Sequence, residues 1–434
     1  MVRIARGRLQ RALVVEGPDA SLDGLLGAGG LVTTRLERVP NESTLVDALV
    51  RTQAQVLFKR SRVPVTASLL DAAPELLAVQ LCCIGDDSVD LAACAARGVL
   101  VFNDPVSNGR SVVELALAQL VSAARGTIQA DSHTRAHGFD KAATGRFEVL
   151  GKRLGIVGMG NIGRQLGRAA EAFGMSVHFY DPRPVAIEVG EEMGFLRCRT
   201  LVDLFRGSDL VSVHASARDI DGRDNDGVLD SVLAELGGDR PEGSPRVFVN
   251  LARGNLHSAA ALVAAVKSGV IRRAAVDVYP DEPSPGAAWH NPYADEPRIA
   301  CTPHIGAATE EAQPRIARRV AQTILRWSHS GAVRDCVFAP RAALELAEPK
   351  PGQAVLAVCH SVSRGTKKAV DDAIYEAEVS NLGSVHRDFD IGVAVDLSLL
   401  DRDLPDRAVQ RLVERAAELS GDGGAVRSVR LITR

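Results

Sequence analysis

Apolar residues fall in short runs along this chain, and between most of the runs they recur at helical spacing. Residues 12–15 read as a strand stopped by the Glu16-Gly17-Pro18 turn. Residues 56–58 read as a second, followed by the basic cluster Lys59-Arg60-Ser61-Arg62, and residues 77–84 as a third ending at Gly85-Asp86-Asp87. Strands alternating with helices predict a parallel sheet with crossover helices. Residues 111–124, rich in Val, Leu and Ala, predict a long buried helix with Ser111 as its N-cap. Further apolar runs at 154–157, 176–180, 210–213, 247–250, 274–278 and 299–301 predict a second open, doubly wound sheet.

The glycines and prolines of residues 236–245 predict a surface loop, and Glu348-Pro349-Lys350-Pro351-Gly352 a linker. Beyond it the pattern changes. Residues 354–359 predict a strand, 366–379 a helix, and 393–399 a half-buried strand of period two. Pro405 opens a helix that presents Val409, Leu412, Val413, Ala416 and Leu419 on one face, and a last strand runs near 426–432. The order β-α-β-β-α-β predicts a small ferredoxin-like domain.

Composition narrows the function classes. Hydrophobic residues make up 46% and charged residues 24%, enough to bury a core, and the net charge of -3 offers no attraction to nucleic acid or an anionic membrane. No apolar run is long enough to span a bilayer, and the basic start of the chain lacks the apolar core of a secretory signal, so a cytoplasmic enzyme is expected. Cys82, Cys83, Cys94, Cys198, Cys301, Cys336 and Cys359 have no metal-ligand spacing, and no metal is expected.

The strand at 154–157 runs into Gly158-Met159-Gly160-Asn161-Ile162-Gly163. Gly158 suits a tight turn, Gly160 the approach of a pyrophosphate, and Gly163 close packing of helix on strand. The helix that follows would offer its N–H groups to the phosphates while burying Ile162, Leu166, Ala170 and Phe173 up to Gly174. The next strand ends at Asp181, placed to accept from ribose hydroxyls and to repel a 2′-phosphate, so NAD is the predicted cofactor; Arg183 is a counter-signal.

Three more segments end predicted strands of the same sheet, where such sheets bind ligands. They carry Arg253, Glu282 and His304. Interconverting a 2-hydroxy and a 2-keto acid needs a cation for the carboxylate and a group that moves the hydroxyl proton. A forked guanidinium serves the first and a carboxylate-paired imidazole the second. Arg253 is therefore assigned to substrate binding, His304 to acid–base work, and Glu282 to orienting His304 and raising its pKa. Hydride then passes between C2 and the nicotinamide.

These motifs (GMGNIG, NLARG, AVDVYPDEP and TPHIGAAT) resemble those of the D-isomer-specific 2-hydroxyacid dehydrogenases, over nearly the whole chain. KRSR, VFNDPVSNGRSVVEL and FDKAATGRFEVLGKRLGIVG point to the branch that oxidises 3-phospho-D-glycerate to 3-phosphohydroxypyruvate, the first step of serine biosynthesis. The resemblance implies that Arg60 and Arg62 hold the phosphate and that Ser61, Ile84, Asn108 and Arg110 line the site. It also implies that Lys141 reaches a neighbouring subunit's site, that Ala252 and Asp277 lie at the cofactor, and that residues before the glycine-rich strand contact a second subunit of a homodimer or homotetramer. Asp86 and Asp87 replace a neutral turn of that branch.

The C-terminal segment resembles an ACT domain, whose relatives bind a small-molecule effector, serine. His360 matches that site, while Val362 and Ser380 stand where polar partners are usual. The implied fold is α/β. A doubly wound substrate domain (1–110 and 307–340) carries an inserted Rossmann NAD domain (111–306); a linker (341–352) and a ferredoxin-like, ACT-like domain (353–434) follow. Two rivals remain. One is the same chemistry on 2-hydroxyglutarate or a phosphonate-bearing acid; the other is a non-catalytic NAD-sensing partner protein.

Overall fold

The strands expected near the start of the chain belong to a larger sheet. In the computed structural model, which describes residues 2–219, 223–283, 287–339, 343–389 and 391–434, five parallel strands lie in the spatial order Val32–Arg35, Arg11–Val14, Val56–Lys59, Ala78–Leu81, Leu100–Phe102. The pattern did not predict the outer two. Val32–Arg35 is an edge strand whose Val32 is exposed, and Leu100–Phe102 has only three residues. The order reverses beside Arg11–Val14, which places the residues after that strand and after Val56–Lys59 at a topological switch point. The helix Ala312–Ser330 belongs to the same unit: Trp327 tilts against Phe102 at 5.5 Å, and a Cβ at Gly29 would lie 2.2 Å from Leu325.

By compactness the chain divides into two units, Met1–Ser107 with Gln313–Arg434, and Asn108–Ala312. The C-terminal segment thus groups with the first unit. One reason is a strand the pattern did not predict: Arg3–Arg6 pairs parallel to Val426–Thr433 at the edge of the C-terminal sheet. That sheet continues through Ala354–Ser361, Val393–Leu400 and Asn381–Phe389, all antiparallel. The helices Thr366–Glu376 and Asp406–Ser420 cover one face around Leu356, Val358, Val370 and Leu412. On the other face Ala357, Leu397 and Ile432 pack near Gly331. Val393–Leu400 is therefore buried on both faces, not half-buried as its alternation suggested. Of the predicted linker, residues 341–342 lie outside the described residues, and Ala343–Leu344 pairs with Val333–Arg334.

The second unit holds seven parallel strands in the order Ile299–Cys301, Arg273–Val276, Val247–Asn250, Leu210–Val213, Arg153–Val157, Ser176–Tyr180, Leu196–Arg197. The order reverses beside Arg153–Val157, so the crevice opens above the glycine-rich turn. The helix Gly109–Arg125 begins earlier than predicted. Asn108 holds the N-cap position, while Ser111 sits inside the helix and hydrogen-bonds Thr309 at 2.9 Å. Phe173, expected in the core, is 48% exposed, because the helix Asn161–Ala172 ends just before it. The 236–245 loop is anchored rather than purely superficial. Leu236 and Ser244 are buried, and Arg240 is bonded to Asp209 at 3.0 Å. Among the described residues no helix is long and apolar enough to cross a membrane.

Candidate active site

Each glycine of the turn after Arg153–Val157 has a measurable reason. Gly158 has φ +94, and a Cβ there would lie 2.6 Å from the His214 carbonyl oxygen. A Cβ on Gly163 would lie 2.2 Å from the Gly158 carbonyl, so helix and strand meet backbone to backbone. Gly160, at the N-cap of Asn161–Ala172, instead faces open space; only Arg183 comes within 4 Å, at 3.8 Å. A tight turn, an open face and the free N–H groups of a helix start form a cradle that fits a dinucleotide pyrophosphate. Leu166 and Ala170 are buried as expected, and Ile162 is partly so.

Asp181 ends the next strand and is 3% exposed. Its Oδ2 accepts from the Met159 N–H at 2.8 Å and from Arg183 Nη2 at 2.6 Å. Its Oδ1 accepts from the Arg183 N–H and Nε, both at 2.9 Å. Burial alone would push this carboxyl up, but Arg183 and Met159 hold it below the ordinary range. A ribose hydroxyl can share the carboxylate only if the Arg183 side chain turns away.

His304, Glu282 and Arg253 stand on three loops of this unit. The His304 Nδ1 lies 2.8 Å from Glu282 Oε2. The Glu282 carboxyl is below its ordinary range: burial opposes this, but His304, the Tyr279 N–H and the charge of Arg253 outweigh it. His304 itself has φ +54, a left-handed conformation costly for a side chain with a Cβ. Asp277 holds it there. This fully buried carboxylate accepts from the Thr302 hydroxyl at 2.6 Å, the Ile305 N–H at 2.9 Å and the Gly306 N–H at 2.8 Å. The residue assigned to the cofactor therefore also braces the histidine turn.

Arg253 is shaped by Asn250, a buried residue the motif reading passed over. Its Oδ1 accepts from the Ala252 N–H at 3.0 Å, and its Nδ2 donates to the Arg253 carbonyl at 2.9 Å. Gly254 seats this loop on the next, since a Cβ there would lie 2.0 Å from the Tyr279 carbonyl carbon. An Asn ending a buried strand was the available signal for Asn250.

In the first unit, Arg60, Ser61 and Arg62 follow Val56–Lys59. Their loop is tied down by Glu16, whose carboxylate accepts from the backbone N–H groups of Arg60, Arg62 (2.7 Å) and Val63 (2.6 Å). The sequence marks Glu16 only as part of a turn, and its φ of 64 marks the bend. Buried Lys59 supports the same loop from below, donating to the Arg60 carbonyl at 2.8 Å and to Ser88 at 2.6 Å. Ile84 lies on the neighbouring loop, where its carbonyl accepts from Asn103 at 2.7 Å.

The remaining candidates are less gathered. Asn108 is buried, and its Oδ1 has no hydrogen-bond partner among the described residues. Arg110 is exposed and pairs with Glu114 one turn on, at 2.6 Å. Lys141 is exposed, 5.4 Å over the Phe139 ring.

Comparison with known proteins agrees with this geometry. Residues 117–306 match the family profile described as D-isomer specific 2-hydroxyacid dehydrogenase, NAD binding domain. The D-3-phosphoglycerate dehydrogenase of Haemophilus influenzae is 39% identical over 347 residues, 79% of this chain and 80% of that protein. Its namesake from Escherichia coli K12 is 34% identical over 336 residues, 77% of this chain and 78% of that protein. Among solved structures, a D-isomer specific 2-hydroxyacid dehydrogenase of Polaromonas sp. JS6 66 superposes with TM-score 0.62 at 27% identity, covering 73% of this chain and 95% of its own. An NADPH-dependent glyoxylate/hydroxypyruvate reductase of Sinorhizobium meliloti does so with TM-score 0.63 at 26% identity, covering 76% and 96%.

Proposed function

The chain belongs to the D-isomer-specific 2-hydroxyacid dehydrogenases, and from that premise we propose that it oxidises 3-phospho-D-glycerate to 3-phosphohydroxypyruvate, the entry step to serine. NAD, when bound, supplies the hydride acceptor. The observation that carries the reading is the His304–Glu282 pair, 2.8 Å apart and braced by Asp277. With Nδ1 on Glu282, His304 keeps Nε2 for the substrate hydroxyl, whose proton it takes as C2 becomes a carbonyl. The Glu282 carboxylate stabilises the resulting imidazolium. Arg253 binds the substrate carboxylate, and its bidentate fork fixes which face of C2 is presented.

The phosphate is assigned to Arg60 and Arg62. Glu16 and Lys59 pre-shape their backbone, so little ordering is left for a bound dianion to impose. The same reading includes a cytoplasmic location and a homodimer or homotetramer. Support for an oligomer comes from the arm before the glycine-rich strand, where Phe139 is 81% and Leu150 68% exposed. The C-terminal sheet and its two helices are assigned an effector-binding role.

NADH oxidation by the purified protein with 3-phosphohydroxypyruvate, 2-oxoglutarate and pyruvate tests the reading. The phosphorylated keto acid should be preferred, and His304→Gln should lower kcat about 10²–10⁴-fold. Equal activity on 2-oxoglutarate would keep the chemistry and overturn the substrate. NAD binding without turnover of any keto acid would overturn both.

A further inference from the structure

Away from the dinucleotide unit, three strands of the C-terminal sheet bring together side chains that the reaction does not use. His360 on Ala354–Ser361, Asp396 on Val393–Leu400 and His386 on Asn381–Phe389 share one face of neighbouring strands, with His386 directly opposite Asp396. His360 Nε2 lies 2.7 Å from Asp396 Oδ2, and His386 Nδ1 lies 3.0 Å from Asp396 Oδ1. The two imidazoles are stacked with centroids 5.8 Å apart, and the three ligand atoms lie within 4.8 Å of one another. His360 and Asp396 are 2% and 1% exposed; His386 is 34% exposed and opens the cluster to solvent.

The outer nitrogens are occupied as well. His360 Nδ1 is 2.6 Å from the Ser361 carbonyl, an acceptor only, so this nitrogen must carry a proton. His386 Nε2 is 3.0 Å from Asp388 Oδ1. With its proton on Nδ1, His360 aims the Nε2 lone pair at a carboxylate oxygen, an arrangement that a divalent cation between the two would satisfy. Lys367 does not take that place: its Nζ lies 3.5 Å from Asp396 and is held at 2.7 Å by Asp371. The outer contacts match how metal-binding histidines are oriented, with the non-ligating nitrogen facing a backbone carbonyl in His360 and a carboxylate in His386.

We propose that His360, His386 and Asp396 form a binding site for a divalent transition-metal ion, with a further coordination position open beside His386. Two imidazole nitrogens and one carboxylate oxygen suit zinc and its cobalt and nickel analogues rather than magnesium or calcium. The site would tie the exposed strand Asn381–Phe389 to the buried centre of the sheet. The inference is independent of the dehydrogenase reading.

The test uses tag-free, full-length protein stripped with chelator and dialysed against zinc alone, with bound metal quantified and the cobalt form followed by its visible absorption. A single equivalent should bind and raise the Tm. His386→Ala changes a half-exposed side chain on an edge strand and should keep the fold by circular dichroism while weakening zinc at least tenfold. Asp388→Asn should weaken zinc by about 10-fold or more by releasing the orientation of His386. Failure of the wild-type protein to retain zinc, or equal retention by His386→Ala, would overturn the site.

Discussion

Asp181 has more donors around it than a ribose-binding carboxylate can share. Four hydrogen bonds fill its lone-pair positions, three of them from Arg183. Cofactor choice therefore turns on which partner Asp181 keeps. With NAD the Arg183 side chain, 43% exposed, must swing out and give up two charge-assisted bonds. Removing the acid leaves the guanidinium for a 2′-phosphate. Asp181→Ser should thus raise the ratio of kcat/KM for NADPH over NADH about ten- to hundredfold, since a hydrogen bond to a charged group contributes about 1.5–3 kcal/mol. Arg183→Ala should move the ratio the other way. Steady-state kinetics with both cofactors check the pair of outcomes. Aspartate at this position was legible in the sequence; its engagement by Arg183 was not, because a lone Arg two residues on does not reveal its rotamer.

At the scale of elements, the candidate site residues stand on loops that follow strands, and each loop has its own brace. Asp277 secures the His304 turn, Asn250 the Arg253 turn and Glu16 the Arg60–Arg62 turn. The loop after Leu210–Val213 is held by Asn225, whose Nδ2 donates to the Ser216 carbonyl at 3.0 Å, and it carries a pH liability. His214 is partly buried, its Nε2 is 2.9 Å from the Ser212 hydroxyl, and its Nδ1 is buried with no hydrogen-bond partner among the described residues. Burial lowers its pKa from 6.5 to about 4, so the folded state holds it neutral. The resulting stability is fully present above the unfolded value of 6.5 and is lost as pH falls toward about 4. The loss amounts to roughly 3 kcal/mol. The urea midpoint of the wild-type protein should fall over this window, and His214→Gln, which cannot protonate, should flatten the fall. Because the His214 carbonyl backs onto Gly158, acid should loosen the cofactor turn as well.

At the scale of the whole molecule, the start of the chain is stitched to its end. Arg3 lies on the strand that extends the C-terminal sheet, and its guanidinium donates to the carbonyls of Leu70, Ala73, Pro74 and Leu76 at 2.5–3.0 Å. These are the last carbonyls of the helix Ala67–Ala72 and the turn after it, where a cation is favoured. Arg3→Ala leaves several of these groups buried and unpaired. It should destabilise the first unit by about 2 kcal/mol or more, read as a lower denaturant midpoint. Deleting residues 2–7 should in addition bare the edge of Val426–Thr433 and promote self-association, visible by sedimentation velocity.

The sequence by itself determined the parts whose signal is local. Strand–turn–helix at Gly158–Gly163 and the strands at 176–180, 210–213, 247–250 and 299–301 follow from periodicity and glycine chemistry within a few residues of each other, as do the C-terminal strands near 354–359, 393–399 and 426–432; the exposed strand Asn381–Phe389 left no such signal. The candidates Arg253, Glu282 and His304 come from the same strand ends. What only tertiary structure decided involves partners far apart along the chain. Arg3 reaches a helix end 67 residues on, Asp277 meets the His304 turn 28 to 29 residues on, and His360 meets Asp396 36 residues on. A buried strand shielded on both faces and a short edge strand leave the same weak trace as a loop, because periodicity records exposure and exposure is set by what packs above. Composition and spacing name the groups available for chemistry. The fold decides which carboxylate each of them faces, and with it their charge.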